Sequence, residues 1–173
     1  MGPTSVSRLS LVHPKLSQLI MLLAEQMSEP IGVTQGLRTP KEQAALYAQG
    51  RKALDQVNAL RKDVGWAAIT ATENFSRRTE AKPGYSWHEF GLAVDVVPFE
   101  SSGEPDWNET HLVWQEIVEK GTGLGLTSGV SWKDEPHLQL TGRFPASATD
   151  EVRTIFAMSG LNGVWQASQI GSN

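Results

Sequence analysis

The sequence contains no cysteine, which excludes a disulfide framework, a thiolate nucleophile, a zinc ribbon and a Cys-ligated iron–sulfur cluster. Any metal must sit on imidazoles and carboxylates. Positive charge is also scarce: 15 Lys plus Arg stand against 19 Asp plus Glu, a formal charge of -4. Apart from Arg77-Arg78 the basic residues are scattered, so nucleic acid is not an expected partner. Nor is there a long apolar run near the start. Leu19 to Ala24 spans six residues, too few for a bilayer, and Leu16, Leu19 and Leu23 recur at helical spacing. An amphipathic core helix is expected there, with neither a signal peptide nor a membrane span.

What is present is a chain of 173 residues, 39% hydrophobic and 20% charged, the size and balance of one compact soluble domain. That domain is expected to fill residues 1–173, with its motif-bearing core over about 31–140 and a C-terminal helical segment over 147–170. Met1 to Ser5 reads as a loose terminus without fold information. Ile31, Val33, Gln35 and Leu37 alternate as a short strand ending at Arg38. Thr39-Pro40-Lys41-Glu42 is a capping box with Pro at the first helical position, opening a helix that runs to about Gln49 and stops at Gly50. Val57, Leu60 and Val64 mark a second helical face.

Thr72 to Tyr85 is polar and basic and shows no periodicity, so it reads as a long functional loop. Leu92 to Pro98 predicts a buried strand, with Asp95 on one face and Val94 and Val96 on the other. Trp107 to Lys120 predicts a helix stopped by Gly121, and Gly123 to Trp132 reads as turn. His137 to Leu140 alternates as a strand, and a last helix starts near Ser147 or Thr149 and breaks at Gly160. Helices at both ends and short strands between them argue for an α+β domain.

Ser86 to Asp95 (SWHEFGLAVD) is the most informative decapeptide. His88 closes the loop, Asp95 lies seven residues later on the strand, and Gly91 permits the turn between them. An imidazole and a carboxylate brought together supply two of the three protein ligands of a catalytic zinc. His137 can supply the third, and Asp134, three residues earlier, can stand above the metal without binding it. His, Asp and His with one open position polarise a water, and a nearby carboxylate can take its proton. His13 and His111 arrive without a carboxylate at a meaningful spacing and read as ordinary surface or hydrogen-bonded histidines. Glu89 reads as solvated, because the HExxH zincin motif fails at Leu92. Trp87 and Trp132 flank the candidate site, where contact with substrate and packing around the metal serve equally well as explanations.

The pattern S-x-H-x-x-G-x-A-x-D, followed about forty residues later by an acid, two further residues and His, resembles peptidase family M15. That family comprises zinc D-Ala-D-Ala carboxypeptidases and L-alanyl-D-glutamate endopeptidases. Gly36-Leu37-Arg38-Thr39 through Gly50-Arg51 also resembles the arginine-bearing segment of its phage endolysin branch. The resemblance implies a hedgehog/DD-peptidase-like α+β fold with a small, mainly antiparallel sheet flanked by helices. It implies one zinc per chain on His88, Asp95 and His137, and Asp134 as general base, with the adjacent Glu135 as rival because many members carry Glu at the base position. Arg38 would stabilise an oxyanion or a substrate carboxylate, and Ser86, Trp87 and Trp132 would line the substrate. The implied function is hydrolysis of peptidoglycan stem peptides, at the L-alanyl-D-glutamate bond, by a monomeric phage or prophage endolysin. Such an enzyme waits in the host cytoplasm for holin-assisted release and then acts on the cell wall. A D-alanyl-D-alanine carboxypeptidase and a catalytically silent, metal-stapled wall-binding module remain the alternatives.

Overall fold

In a computed structural model of the chain, residues 1–100 and 102–171 are described. Among them are six α-helices and a four-stranded antiparallel sheet of order β1-β2-β4-β3. The helices are α1 (Pro3–Leu9), α2 (Pro14–Gln26), α3 (Pro40–Ala48), α4 (Leu54–Asp63), α5 (Leu112–Gly123) and α6 (Asp150–Ser168). The strands are β1 (Ile31–Gln35), β2 (Ala93–Pro98), β3 (Thr127–Gly129) and β4 (Asp134–Gln139). The α+β architecture expected from the sequence is present.

The alternation of β2 divides the molecule. Val94 and Val96 join Leu138 of β4 and Val33 of β1 beneath α2 and α5, where Leu16, Ile20, Leu23 and Ile117 complete the main core. Asp95 points to the opposite face, as period-two geometry requires. Antiparallel pairing sets Asp95 directly across from His137, so a carboxylate and an imidazole share one patch of sheet. A second core forms where α6 packs on the turn before β2, joining Trp87, Phe90, Phe144, Val152 and Val164.

The local signals are realised at α3, where Thr39 Oγ1 accepts the Glu42 N–H and Glu42 Oε2 accepts the Thr39 N–H. Elsewhere tertiary context overrides the sequence pattern. Residues 3–5 are not a loose terminus: they open α1, which covers the edge strand β1. Ser5 Oγ accepts the Val33 N–H, and Arg8 donates to the Val33 carbonyl at 2.6 Å. An edge strand otherwise presents unpaired backbone groups, and α1 satisfies a pair of them.

The expected start of α5 at Trp107 is displaced to Leu112. Asp106 accepts the Asn108 N–H and pairs with the His111 imidazole, and such side-chain bonds hold backbone in a turn. Gly121 does not stop α5 but lies buried within it, where an added Cβ would come within 3.3 Å of the Leu138 side chain. The stretch read as turn contains β3 and the 3-10 turn Val130–Trp132. Strand β1 ends at Gln35, three residues earlier than Arg38. In α6 the helical backbone is interrupted at Gly160 and then resumes.

Candidate metal centre

Three side chains meet on the Asp95 face. His88 Nε2 lies 3.2 Å from Asp95 Oδ1 and 3.2 Å from His137 Nδ1, and His137 Nδ1 lies 3.6 Å from Asp95 Oδ1. His88 comes from the 3-10 turn Trp87–Phe90 that leads into β2. Gly91 ends this turn at φ 64°, the left-handed region, where an added Cβ would lie 3.2 Å from the Trp165 ring and 3.4 Å from the Val12 Cα. A side chain there would meet both backbone strain and crowding.

The hydrogen bonds behind the imidazoles fix which nitrogens face inward. His88 Nδ1 lies 3.0 Å from the Gly36 carbonyl, which can only accept, so Nδ1 carries the proton and Nε2 is a bare lone pair. On His137 the roles reverse. Its Nε2 lies 2.9 Å from Gln139 Oε1, and Gln139 donates its own amide N–H to the Ala146 carbonyl, which turns the amide oxygen toward the ring. His137 Nδ1 is then the free lone pair. Asp95 Oδ1 is buried without a hydrogen-bond partner. Three acceptor atoms therefore converge on one point with nothing to donate to them, an arrangement that requires a positive charge between them.

A divalent metal fits that requirement. Zinc bound at about 2.0–2.2 Å to nitrogen and oxygen places neighbouring tetrahedral donors roughly 3.3 Å apart, and the three observed separations bracket that figure. The electrostatics point the same way. Burial drives the Asp95 carboxyl up, but the facing imidazoles of His88 and His137 outweigh it and hold the group well below the usual carboxylate range. Burial pushes His88 down. His137 is also opposed by burial, yet Asp95 and Gln139 carry it upward.

Asp134 stands beside this group. Its Oδ2 is 3.9 Å from His137 Nδ1, and its side chain remains half exposed. Burial and the Asp95 charge push its pKa up. Simple alternation from His137 would place Glu135 on the metal face instead. The β3–β4 register slips between Ser128 and Gly129, which pairs with Asp134, and an irregularity of this kind re-aims side chains. Lys133 precedes it in the left-handed conformation. Gly129 makes the approach possible, since a Cβ there would lie 2.2 Å from the Asp134 carbonyl oxygen and 2.8 Å from His137 Cβ.

Arg38 is buried against the other side of Asp95. Its Nη2 lies 3.6 Å from Asp95 Oδ2, and its remaining donors reach Gln35 at 3.2 Å and Gln43 at 2.8 Å. Its backbone N–H donates to the His88 carbonyl, so the end of β1 and the His88 turn are tied twice. Burial lowers the guanidinium pKa, with Asp95 opposing. The guanidinium is thus held among site residues, not by a surface acid.

The remaining candidate residues divide. Trp132 is half exposed, with its ring edge-on to His137 at 5.9 Å. Trp87 is buried, stacks on Phe144 and donates its indole N–H to the Ala146 carbonyl, so it packs behind the site. Ser86 is buried and gives its backbone N–H to Glu89. Glu89 is not solvated, as the sequence suggested: it is 4% exposed and accepts the Gly84 and Ser86 N–H groups, with burial raising its pKa. It clamps the loop before His88. His13 and His111 lie outside the centre. His13 Nδ1 accepts the Lys15 N–H at the start of α2, and His111 pairs with Asp106. Sequence reasoning missed Gln35, Gln43, Gln139 and Gly129. The alternation of His137 with Gln139 on β4 was the one signal that could have found any of them.

An antiparallel sheet that carries Asp95 and His137 on one face, with His88 brought over them by the preceding 3-10 turn and a further acid at the rim, defines a domain with a His-Asp-His group that could hold a metal ion. The chain belongs to the family described as VanY: D-alanyl-D-alanine carboxypeptidase, within the M15 peptidases, which matches residues 10–128. The match covers His88 and Asp95 and ends before Asp134 and His137, whose place in the centre therefore rests on geometry. The chain is 28% identical over 142 residues to the peptidoglycan L-alanyl-D-glutamate endopeptidase CwlK of Bacillus subtilis, covering 75% of this chain and 73% of the relative. Its fold is similar to that of the L-Ala D-Glu endopeptidase ChiX of Serratia marcescens, at TM-score 0.50 and 24% identity. That likeness covers 82% of this chain and 89% of the other. No helix among the described residues is long and apolar enough to cross a membrane.

Proposed function

We propose that this peptidase is zinc-dependent and cuts the stem peptides of bacterial peptidoglycan at the L-alanyl-D-glutamate bond. The observation that carries the reading is the convergence of three proton-free donor atoms with a fourth, half-exposed acid beside them. His88, Asp95 and His137 would hold the metal. Zinc in such a site supplies Lewis acidity, which makes a water nucleophilic near neutral pH and polarises the scissile carbonyl. Asp134 takes the proton of the attacking water and passes it to the leaving amine, a task suited to a carboxyl whose pKa burial has raised. Arg38, charged and largely shielded from solvent, holds Asp95 and offsets the negative charge that develops on the carbonyl oxygen. Trp132 offers an aromatic wall to the substrate.

The choice of bond is supported by the likeness to CwlK. The endolysin setting is supported by the segment Gly36 to Arg51, which the sequence likens to the phage branch. Digestion of purified peptidoglycan, followed by mass spectrometry of the products, tests the reading. A new D-glutamyl amino terminus is the expected result. Release of D-Ala instead would make the chain a carboxypeptidase, the activity in the description of its family. Binding to the wall without any cleavage would make it a metal-stapled module. Lysis of permeabilised cells by added protein tests the endolysin role separately.

A further inference from the structure

Each nitrogen of the Arg38 guanidinium faces an acceptor from a different element. Nε donates to Gln35 of β1 at 3.2 Å, Nη1 donates to Gln43 of α3 at 2.8 Å, and Nη2 lies 3.6 Å from Asp95 of β2. Nη1 and Nη2 each keep a second N–H that no acceptor among the described residues takes, so the group is oriented without being exhausted. The Gln35 bond leaves rotation about Nε–Cζ open. Gln43 opposes that rotation with a short bond at Nη1, whereas Asp95 opposes it only across 3.6 Å.

Gln43 is fully buried. The Thr39 capping box fixes the first turn of α3, and the Gln43 N–H donates to the Thr39 carbonyl, which sets residue 43 one turn into the helix and its side chain back against Arg38. The other buried positions of α3 are Ala45 and Ala48, so a glutamine departs from an otherwise small apolar face. Its amide has one workable orientation. The guanidinium can only donate and meets Oε1, while the Ala81 carbonyl can only accept and meets Nε2 at 2.6 Å. Nε2 also lies 3.5 Å from Thr79 Oγ1, and Arg51 donates to the Thr79 carbonyl at 2.8 Å. A buried amide satisfied at both ends is rigid, and this one anchors Arg38 to the loop that runs on to His88.

We propose that Gln43 is a positioning residue for the hydrolysis: its Oε1 fixes the plane of the Arg38 guanidinium, so that Arg38 meets the charge developing on the carbonyl oxygen already oriented. The inference rests on the role given to Arg38 above. Gln43 touches no reacting atom, and its loss acts on turnover through Arg38 alone.

The test uses the full, zinc-reconstituted chain and a soluble stem peptide carrying the bond that peptidoglycan digestion identifies. Gln43→Met, close in size but without the acceptor oxygen, should lower kcat about 10–100-fold, the scale of a small misplacement at a reacting centre. KM should stay within about twofold, because the interaction is made in the transition state. Zinc content and melting curves check that the variant folds and keeps its metal. Arg38→Met should lower kcat about 10²–10³-fold, as loss of an oxyanion donor does, and adding Gln43→Met to it should change kcat by less than about twofold.

NMR of the guanidinium nitrogens gives a readout apart from activity. Nη1 and Nη2 of Arg38 should be resolved in the unsubstituted chain and should merge in Gln43→Met as rotation about Nε–Cζ becomes free. Gln43→Glu keeps the acceptor and should keep the two signals apart. Unchanged turnover in Gln43→Met, an equal further loss in the Arg38→Met background, or merged signals in Gln43→Glu or the unsubstituted chain overturns the proposal alone. If the unsubstituted chain cleaves nothing, or Arg38→Met turns over normally, the role given to Arg38 fails and the proposal falls with it, while the NMR signals still show whether Gln43 holds the guanidinium.

Discussion

Gln139 holds His137 from two residues further along the same strand, its amide oxygen 2.9 Å from Nε2. Gln139 is itself fixed by the Ala146 carbonyl. The pair decides which imidazole nitrogen faces Asp95 and His88, so a buried amide that touches no reacting atom sets the chemistry of the centre.

Replacing Gln139 with Leu should therefore weaken zinc binding by about 10–100-fold, the usual cost of losing a partner behind a metal ligand. Competition against a chromophoric chelator measures it. The shape of the core is nearly conserved, so the fold should survive. Wild-type affinity in the Leu variant would mean that His137 is oriented by its packing alone.

Asp134→Ala should retain one zinc per chain and lose activity by about 10²–10⁴-fold, the range for removal of a general base. Glu135→Ala should keep most of the activity. Metal content by elemental analysis and turnover on peptidoglycan separate the two acids. If Glu135→Ala is the inactive variant, the slip of register at Gly129 does not aim Asp134 as argued.

His88 and Asp95 were legible in the sequence because their relation is local. Seven residues that include a turn glycine and an alternating strand leave few ways to arrange them. His137 was legible from a second alternating run, although its strand opens three residues earlier, at Asp134, and ends at Gln139 rather than Leu140. The buried polar support was not. Glu89 looked like a solvated acid beside a histidine, and only the return of Gly84 and Ser86 over it makes it an acceptor of backbone N–H groups. Gln35 and Gln43 carry no local sign that Arg38 will be buried between them. The same limit applied to α1, since covering an edge strand is a long-range relation between residues 5 and 33. Local signals found the Thr39 capping box and singled out His88, Asp95 and His137, while tertiary pairing determined what surrounds them.

Gly129→Ala should destabilise the protein by about 2 kcal/mol or more, since its methyl would meet the Asp134 backbone and neither strand can move without opening the centre. For a chain of this length, that corresponds to a fall in melting temperature of about 4–8 °C. Thermal unfolding followed by circular dichroism measures it. Zinc affinity should fall in parallel, because Asp134 and His137 flank the contact. A stable variant with a weakened zinc site would instead show that the strands part locally at the bulge.

His13 gives the fold a dependence on pH that is separate from the metal. Burial lowers its pKa below the ordinary 6.5, and its neutral Nδ1 accepts the Lys15 N–H that starts α2. Protonation would remove that acceptor and leave a cation against the end of Trp165. The native state therefore binds the proton less readily than the unfolded chain. The stability supplied by the neutral ring is complete above about pH 6.5 and is lost progressively as the pH falls toward the native pKa. Zinc-loaded protein is the right sample, because the metal keeps His88 and His137 from titrating over the same range. His13→Asn, which caps a helix without titrating, should flatten the melting temperature between pH 7 and pH 5.5 relative to wild type. Parallel curves for the two proteins would assign the acid sensitivity elsewhere.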